Sequence, residues 1–257
     1  MPELPEVETL CRQLKRKTIG KKIIKNKVFD NKLTAVKNLK DKKIINVERR
    51  GKTVVIVLDD GRSILIHLRM TGRLLWQSNA AAPKYTRWKM ALDEGEVFLV
   101  DPRRFATVKV SPTTAKESER EIFGDFDLQK FVERHGRRKT KVKSLIMDQN
   151  VISGIGNIYA CEILHRAGIH PAREAATLTK DDWNRIFVQA RSVLTKAISK
   201  RGTSISDWRD LYGRKGENQN ELTCYGKADN ACSFCGKPIC RVKQSGRGTY
   251  FCRTCQK

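Results

Sequence analysis

No stretch of the chain is apolar for anything near the ~20 residues that a membrane-crossing helix needs. The longest such run, Val54-Val55-Ile56-Val57-Leu58, suits one buried strand instead. Acid is scarce beside base: Asp+Glu 28 stand against Lys+Arg 52, a formal net charge of +24. A charge that large repels itself unless a polyanion absorbs it, which points to nucleic acid; a merely solvated basic surface is the alternative. Internal repeats and low-complexity tracts are also missing, so the 257 residues are read as one to three globular units. The start carries carboxylates and two prolines, unlike a signal or transit peptide. A cytoplasmic location with no membrane attachment is therefore expected, and the eight cysteines become poor disulfide candidates.

What is present begins with Met1-Pro2-Glu3. A small second residue lets the initiator methionine be cleaved, and the new terminus is then a secondary amine beside a carboxylate. Such an amine can attack an electrophilic carbon and form an iminium. The unperturbed α-amino pKa is about 7.7–8.0, so part of it is neutral near neutrality, whereas a lysine at about 10.4 needs far more tuning. By itself the tripeptide is more simply read as Pro2 preceding a helix. Leu4, Val7, Leu10, Cys11 and Leu14 recur at helical spacing, with Pro5, Glu6 and Glu8 suited to a first turn. The amine would lie at the positive end of that helix, where its protonated form is disfavoured.

From about 20 to 110 the pattern turns to short β-type runs: 22–28, 44–48, 54–58, 63–68, 88–92, 97–100 and 107–110. Hairpin signals such as Asp60-Gly61 and Glu94-Gly95 separate several of them, which suggests a β-sandwich. Residues 113–127 read as a linker. The next stretch reads as helical, with segments at 143–149, 157–167 and 180–199, the last behind a Thr179 cap. The polar, glycine-containing segment 212–220 reads as a mobile loop. The expected division is 1–112, 128–220 and a separate module at 224–257, an α+β multidomain chain.

Cys232-x2-Cys235-x16-Cys252-x2-Cys255 is the strongest local signal, because two CxxC pairs complete a closed tetrahedral site for one structural Zn(2+). Between the pairs, 238–244 and 249–251 read as strands joined by Ser245-Gly246-Arg247-Gly248, a hairpin with arginine at its tip. Arg247 there suits a phosphate, or an exposed turn on a protein-binding module. Cys11 and Cys161 sit in apolar helical patterns as small core residues, and Cys224 and Cys240 read as structural. Gly154-Ile155-Gly156-Asn157 opens a helix, where backbone N–H groups suit a phosphate and Asn157 can cap or donate; an ordinary tight turn has the same pattern. Asp101-Pro102-Arg103-Arg104-Phe105 supplies guanidinium groups and an aromatic wedge able to fill a base stack, or else a salt-bridged loop. Lys52, after Arg49-Arg50-Gly51, can bind phosphate or carry protons, or can simply be solvated.

Five motifs occur in order: Pro2–Glu8, His67-Leu68-Arg69-Met70-Thr71-Gly72, Asp101–Phe105, Gly154–Ala160 and Gly246–Cys252. With the cysteine quartet they make the chain resemble the formamidopyrimidine-DNA glycosylase family over essentially its whole length. The start resembles that branch more than the endonuclease VIII branch, whose start typically reads PEGPE. The resemblance implies an N-terminal β-sandwich with an N-terminal helix, a helix–two-turn–helix domain and a zinc-finger β-hairpin, with DNA in the cleft between them. It implies a monomer in a bacterial cytoplasm, acting on double-stranded DNA that contains oxidised bases or abasic sites. Pro2 would be the Schiff-base nucleophile, Glu3 the general acid/base, Lys52 a phosphate contact that assists elimination, and Arg247 the zinc-finger arginine at the flanking phosphate. Met70, Arg103 and Phe105 match the trio inserted where a base has flipped out, and Asn157 and Lys139 match DNA-backbone contacts. Tyr85 stands where many members have a DNA-contacting histidine, and 213–220 is where a lid over the extruded purine would lie.

The activity so implied is base excision of oxidised purines, 8-oxoguanine and formamidopyrimidines, followed by β,δ-elimination. A glycosylase preferring oxidised pyrimidines is the alternative within the class. A non-catalytic zinc-ribbon nucleic-acid-binding protein is the alternative outside it, but gives no reason for Pro2-Glu3 or the Met70/Arg103/Phe105 set.

Overall fold

The computed structural model describes residues 1–33, 36, 38–78, 81–113 and 118–257. The expected linker at 113–127 therefore lies partly outside the described residues. Two compact units form: Met1–Lys116 with Ile198–Gln219, and Glu117–Ala197 with Asn220–Lys257.

The first unit opens with α1 (Leu4–Thr18), which has Pro5 in its first turn and Lys15, Arg16 and Lys17 in its last, where the helix dipole favours cations. Leu4, Val7, Leu10 and Leu14 are fully buried, as their spacing predicts. Eight strands follow: β1 (Ile23–Val28), β2 (Ile44–Arg50), β3 (Thr53–Leu58), β4 (Arg62–His67), β5 (Arg73–Gln77), β6 (Thr86–Leu92), β7 (Glu96–Val100) and β8 (Thr107–Pro112). They make two four-stranded antiparallel sheets, β2-β3-β4-β8 and β1-β6-β7-β5. The helix α1 packs on β2 and β3, so β3 is covered on both faces and reads as an unbroken apolar run. Strand β5 lies outside the runs read from sequence, because Arg-Leu-Leu-Trp-Gln does not alternate; its pairing with β7 specifies it.

Residues 198–219 differ from the expected division, which assigns them to the helical segment. They belong to the first unit because polar groups of α1 hold them: Thr203 N donates to Glu6 Oε1 at 2.7 Å and Leu211 N to Gln13 Oε1 at 2.9 Å. Trp208 and Leu211 join the sandwich core. Nor is 213–219 a free loop. Gly216 N donates to Ser204 Oγ at 2.9 Å, Glu217 N to Lys200 O at 2.8 Å and Asn218 N to Gly202 O at 3.1 Å.

The second unit contains α2 (Leu128–His135), α3 (Val142–Met147), α4 (Asn157–Ala167) and most of α5 (Lys180–Ser199). Asp127 caps α2 by accepting from Lys130 N at 3.0 Å, and Thr179 and Asp182 cap α5 reciprocally at 3.1 and 3.0 Å. Phe126, Phe131 and Phe187 cluster with centroids 4.6–5.4 Å apart. The end of the expected linker is folded here: Ser153 N donates to Arg120 O at 2.9 Å, and Ile122 is fully buried. The C-terminal hairpin, β9 (Cys240–Gln244) and β10 (Arg247–Phe251), is part of this unit rather than a separate module. Its turn is two residues long, Ser245-Gly246, both at positive φ (49° and 76°) as a tight hairpin requires.

Candidate active site

Pro2 is buried at the start of α1 and Glu3 is 3% exposed. The Glu6 carboxylate fixes this end of the helix: Oε2 accepts from Glu3 N at 2.7 Å while Oε1 holds Thr203 N. Gly202 (φ +80°) is required there, because a Cβ would meet Glu6 Oε1 at 2.7 Å. Lys52 occupies the β2–β3 turn. Arg49 ties that turn to α1, donating to Gly51 O at 3.0 Å and to Glu8 Oε2 at 3.2 Å. Lys52 is only 7% exposed, so the solvated reading fails.

His67 was not singled out from sequence as a site residue. It ends β4 opposite Thr53, the residue after Lys52. Burial, then the charges of Arg69 and Lys52, pushes its pKa down to about 4, so the ring is neutral and accepts from Arg69 N at 3.1 Å. A lysine and an arginine converging on one imidazole concentrate positive potential where an anion would bind. The sequence signal was a histidine flanked by basic residues at a strand end, which is too common to stand alone.

Met70, Arg103 and Phe105 come together on loops of the same unit. Arg103 Nη1 lies 3.9 Å from Met70 Sδ, and the guanidinium sits 4.7 Å from the Phe105 centroid. Met70 is 50% and Phe105 47% exposed, a presented cluster rather than a core. Asp101 organises it from below. Its buried carboxylate accepts from Thr71 Oγ1 at 2.5 Å, Phe105 N and Ala106 N at 2.7 Å, and Arg103 N at 3.2 Å. Burial pushes the Asp101 pKa up, but bonds from Ala106, Thr71, Phe105 and Arg103 outweigh it and the net shift is down. Gly72 allows the Met70 loop to close, since a Cβ would stand 2.5 Å from Leu68 O. The two arginines divide: Arg103 is presented, whereas Arg104 (φ 58°) grips buried Asp30 through Nε at 2.9 Å and Nη2 at 2.5 Å. Tyr85 is 53% exposed at φ 65°, and its carbonyl accepts from Asp101 N at 3.0 Å.

In the second unit the Asn157 side chain is engaged. Oδ1 accepts from Lys143 Nζ at 2.6 Å and Nδ2 donates to Gly248 O at 3.0 Å. Gly156, not Asn157, is the N-cap of α4. Lys143, 1% exposed, also donates to Thr249 Oγ1 at 2.6 Å, so one buried ammonium joins α3, α4 and β10. Arg247 is exposed as the first residue of β10, opposite Gln244, one step past the expected tip. With Lys143, Ser144 and Gln244 it lines a cleft of about 440 Å³. Lys139 is exposed between α2 and α3.

The sulfurs of Cys232, Cys235, Cys252 and Cys255 all lie within 4.8 Å of one another, the sole such group among the described residues. Sulfurs about 2.3 Å from a tetrahedral zinc stand roughly 3.8 Å apart. The Cys232–Cys255 and Cys235–Cys252 separations of 3.9 and 3.5 Å bracket that value, so these donors fit such an ion. Cys11 and Cys161 are buried as expected, and Cys224 is fully buried beside the quartet.

The profile of the formamidopyrimidine-DNA glycosylase N-terminal domain matches residues 1–108, and that of the family's H2TH domain matches 117–208. The chain is 36% identical over 272 residues to the formamidopyrimidine-DNA glycosylase of Herpetosiphon aurantiacus, with 100% of both covered. It is 38% identical over 274 residues to that of Pelotomaculum thermopropionicum, with 100% of this chain and 99% of the relative covered. Among solved structures, wild-type Lactococcus lactis Fpg bound to DNA containing N7-benzyl-Fapy-dG matches with TM-score 0.90 at 33% identity, covering 100% of each chain. The same protein on abasic-site DNA matches with TM-score 0.90 at 32% identity and 99% coverage of each. With two domain profiles and full-length relatives in agreement, the chain belongs to the formamidopyrimidine-DNA glycosylase family.

Proposed function

We propose that the amine of Pro2, freed by removal of Met1, is the nucleophile of a bifunctional DNA glycosylase/AP lyase for oxidised purines. Family membership makes the chain a DNA glycosylase of base excision repair, with damaged DNA as its partner. The amine lies at the positive end of α1, a field that favours its neutral, attacking form. It attacks C1′, the base departs, and the Pro2 nitrogen and C1′ form an iminium. Glu3 supplies a proton as the sugar ring opens and accepts protons afterwards. The iminium acidifies the C2′ proton, whose loss expels the 3′ phosphate; loss of the C4′ proton from the conjugated iminium so formed then expels the 5′ phosphate. Lys52 and His67 suit the phosphate beside the reacting sugar, and Arg247 and Lys139 suit the flanking backbone.

The observation that carries the reading is the presented Met70–Arg103–Phe105 cluster. An exposed thioether, guanidinium and ring held by one buried carboxylate are suited to a gap in a base stack. Extruding a base costs a few kcal/mol, which such an insertion offsets. The four cysteines would hold one zinc ion in a closed thiolate site, whose role there would be to brace the hairpin. Cleavage of duplexes with 8-oxoguanine opposite C and with thymine glycol opposite A tests the substrate class. Faster cleavage of the first is expected, and much faster cleavage of the second would transfer the enzyme to pyrimidine lesions.

A further inference from the structure

A buried histidine of α4 faces the cysteine quartet, and catalysis does not use it. His165 is 1% exposed, and its Nε2 lies 3.3 Å from Cys232 Sγ. Its Nδ1 lies 3.1 Å from Thr223 Oγ1, whose one hydroxyl proton is shared between that nitrogen and Glu162 Oε2 at 2.8 Å, while Thr223 N donates to the same carboxylate oxygen at 2.9 Å. Glu162, one helical turn before His165, also accepts from Cys224 N and Tyr225 N at 2.8 and 2.7 Å. The Phe234 ring covers the imidazole at 5.0 Å, and Phe234 N donates to Cys232 Sγ at 3.5 Å. Thr223 and Phe234 thus orient the ring toward one sulfur.

We infer that His165 is a positioning residue for the metal site, donating Nε2–H to the Cys232 thiolate when an ion is bound. This rests on the zinc reading above. A metal-bound thiolate can only accept, so the neutral ring meets it with Nε2–H and its Nδ1 then accepts from the Thr223 hydroxyl, leaving Thr223 N on Glu162. Such a bond withdraws electron density from the sulfur and holds it in place, and outer partners of this kind typically change metal affinity 10–100-fold.

The test uses the full chain loaded with Zn(2+) or Co(2+), as wild type, His165→Phe and His165→Gln. Phenylalanine keeps the volume and the stacking on Phe234; glutamine keeps an N–H. Zinc transfer to a chromogenic chelator should accelerate by about 10-fold or more in His165→Phe and recover largely in His165→Gln. The sulfur-to-cobalt charge-transfer band should move to lower energy in His165→Phe while the four-sulfur tetrahedral spectrum persists. Unchanged release and band position in His165→Phe would overturn the inference. So would a wild-type cobalt spectrum of three sulfurs and one nitrogen, which would make His165 itself a ligand. Wild-type protein that takes up neither metal would instead remove the zinc reading, and this inference with it.

Discussion

In the N-terminal unit, the loops that present Met70, Arg103 and Phe105 are rooted in a broad apolar core, with Leu68 and Ala106 buried beneath them. The hairpin that presents Arg247 rests on far less: Cys224, Cys232, Ile239 and Cys252 form its small buried cluster. Buried polar groups do the rest, chiefly Lys143 to Thr249, Asn157 to Gly248, and Gln244 to Pro171 O at 3.1 Å. A sandwich large enough to exclude water roots its presenting loops by packing, with the Asp101 carboxylate setting their tips. An element with so few apolar neighbours needs directional bonds and a metal.

The largest expected effect separates the two units. Zinc is worth about 10–16 kcal/mol in small isolated modules. Stripping it, or making Cys252→Ser, should remove amide-exchange protection from β9 and β10 while β3 and β6 stay protected. Affinity for lesion DNA should drop about 10-fold or more as Arg247 loses its fixed position. Unchanged affinity in the metal-free protein would place the hairpin outside the interface. Next is Asp101→Ala, which leaves the N–H groups of Arg103, Phe105 and Ala106 without their acceptor, at about 1–3 kcal/mol for each group that stays buried. Both stability and excision should fall. Phe105→Ala sharpens the contrast: stability should change by less than about 0.5 kcal/mol, while excision slows about 10-fold. Equal effects in urea melts and single-turnover assays would show that the ring is packing rather than presented.

The N-terminal unit was the more legible of the two, for the same physical reason. Val7, Leu10 and Leu14 announce α1 by spacing, and the β3 run announces a doubly covered strand, because burial leaves a periodic trace. Strand β5 leaves none; its partner β7 defines it. The attachment of 198–219 is also invisible locally, since it depends on Glu6 and Gln13 nearly two hundred residues away. In the second unit the CxxC spacing exposes the sulfur quartet, but Lys143 and His165 look like ordinary helical residues until the hairpin is in place. Among the site residues, Pro2 and Glu3 stand out through order along the chain. Lys52 required the Arg49 tie to be seen as buried, and His67 required both neighbouring charges.

The smallest expected effect is one of pH. His67 has a folded pKa of about 4 against an ordinary value of 6.5. Between those values the unfolded chain binds a proton that the folded chain does not, so stability of the N-terminal unit falls as pH drops from 6.5 toward 4. Amide exchange of β3 and β4 at pH 7 and pH 5 should show this, and His67→Gln should lessen the loss. An unaltered pH dependence in that variant would assign the effect to other groups.

Borohydride trapping on an abasic-site duplex tests the role of Pro2 most directly, comparing protein with a free Pro2 terminus against protein that retains Met1. The account predicts a covalent adduct, mapped to the Pro2 nitrogen, in the first and none in the second, where that nitrogen is an amide. Equal trapping in both, or an adduct mapped to Lys52, would contradict it.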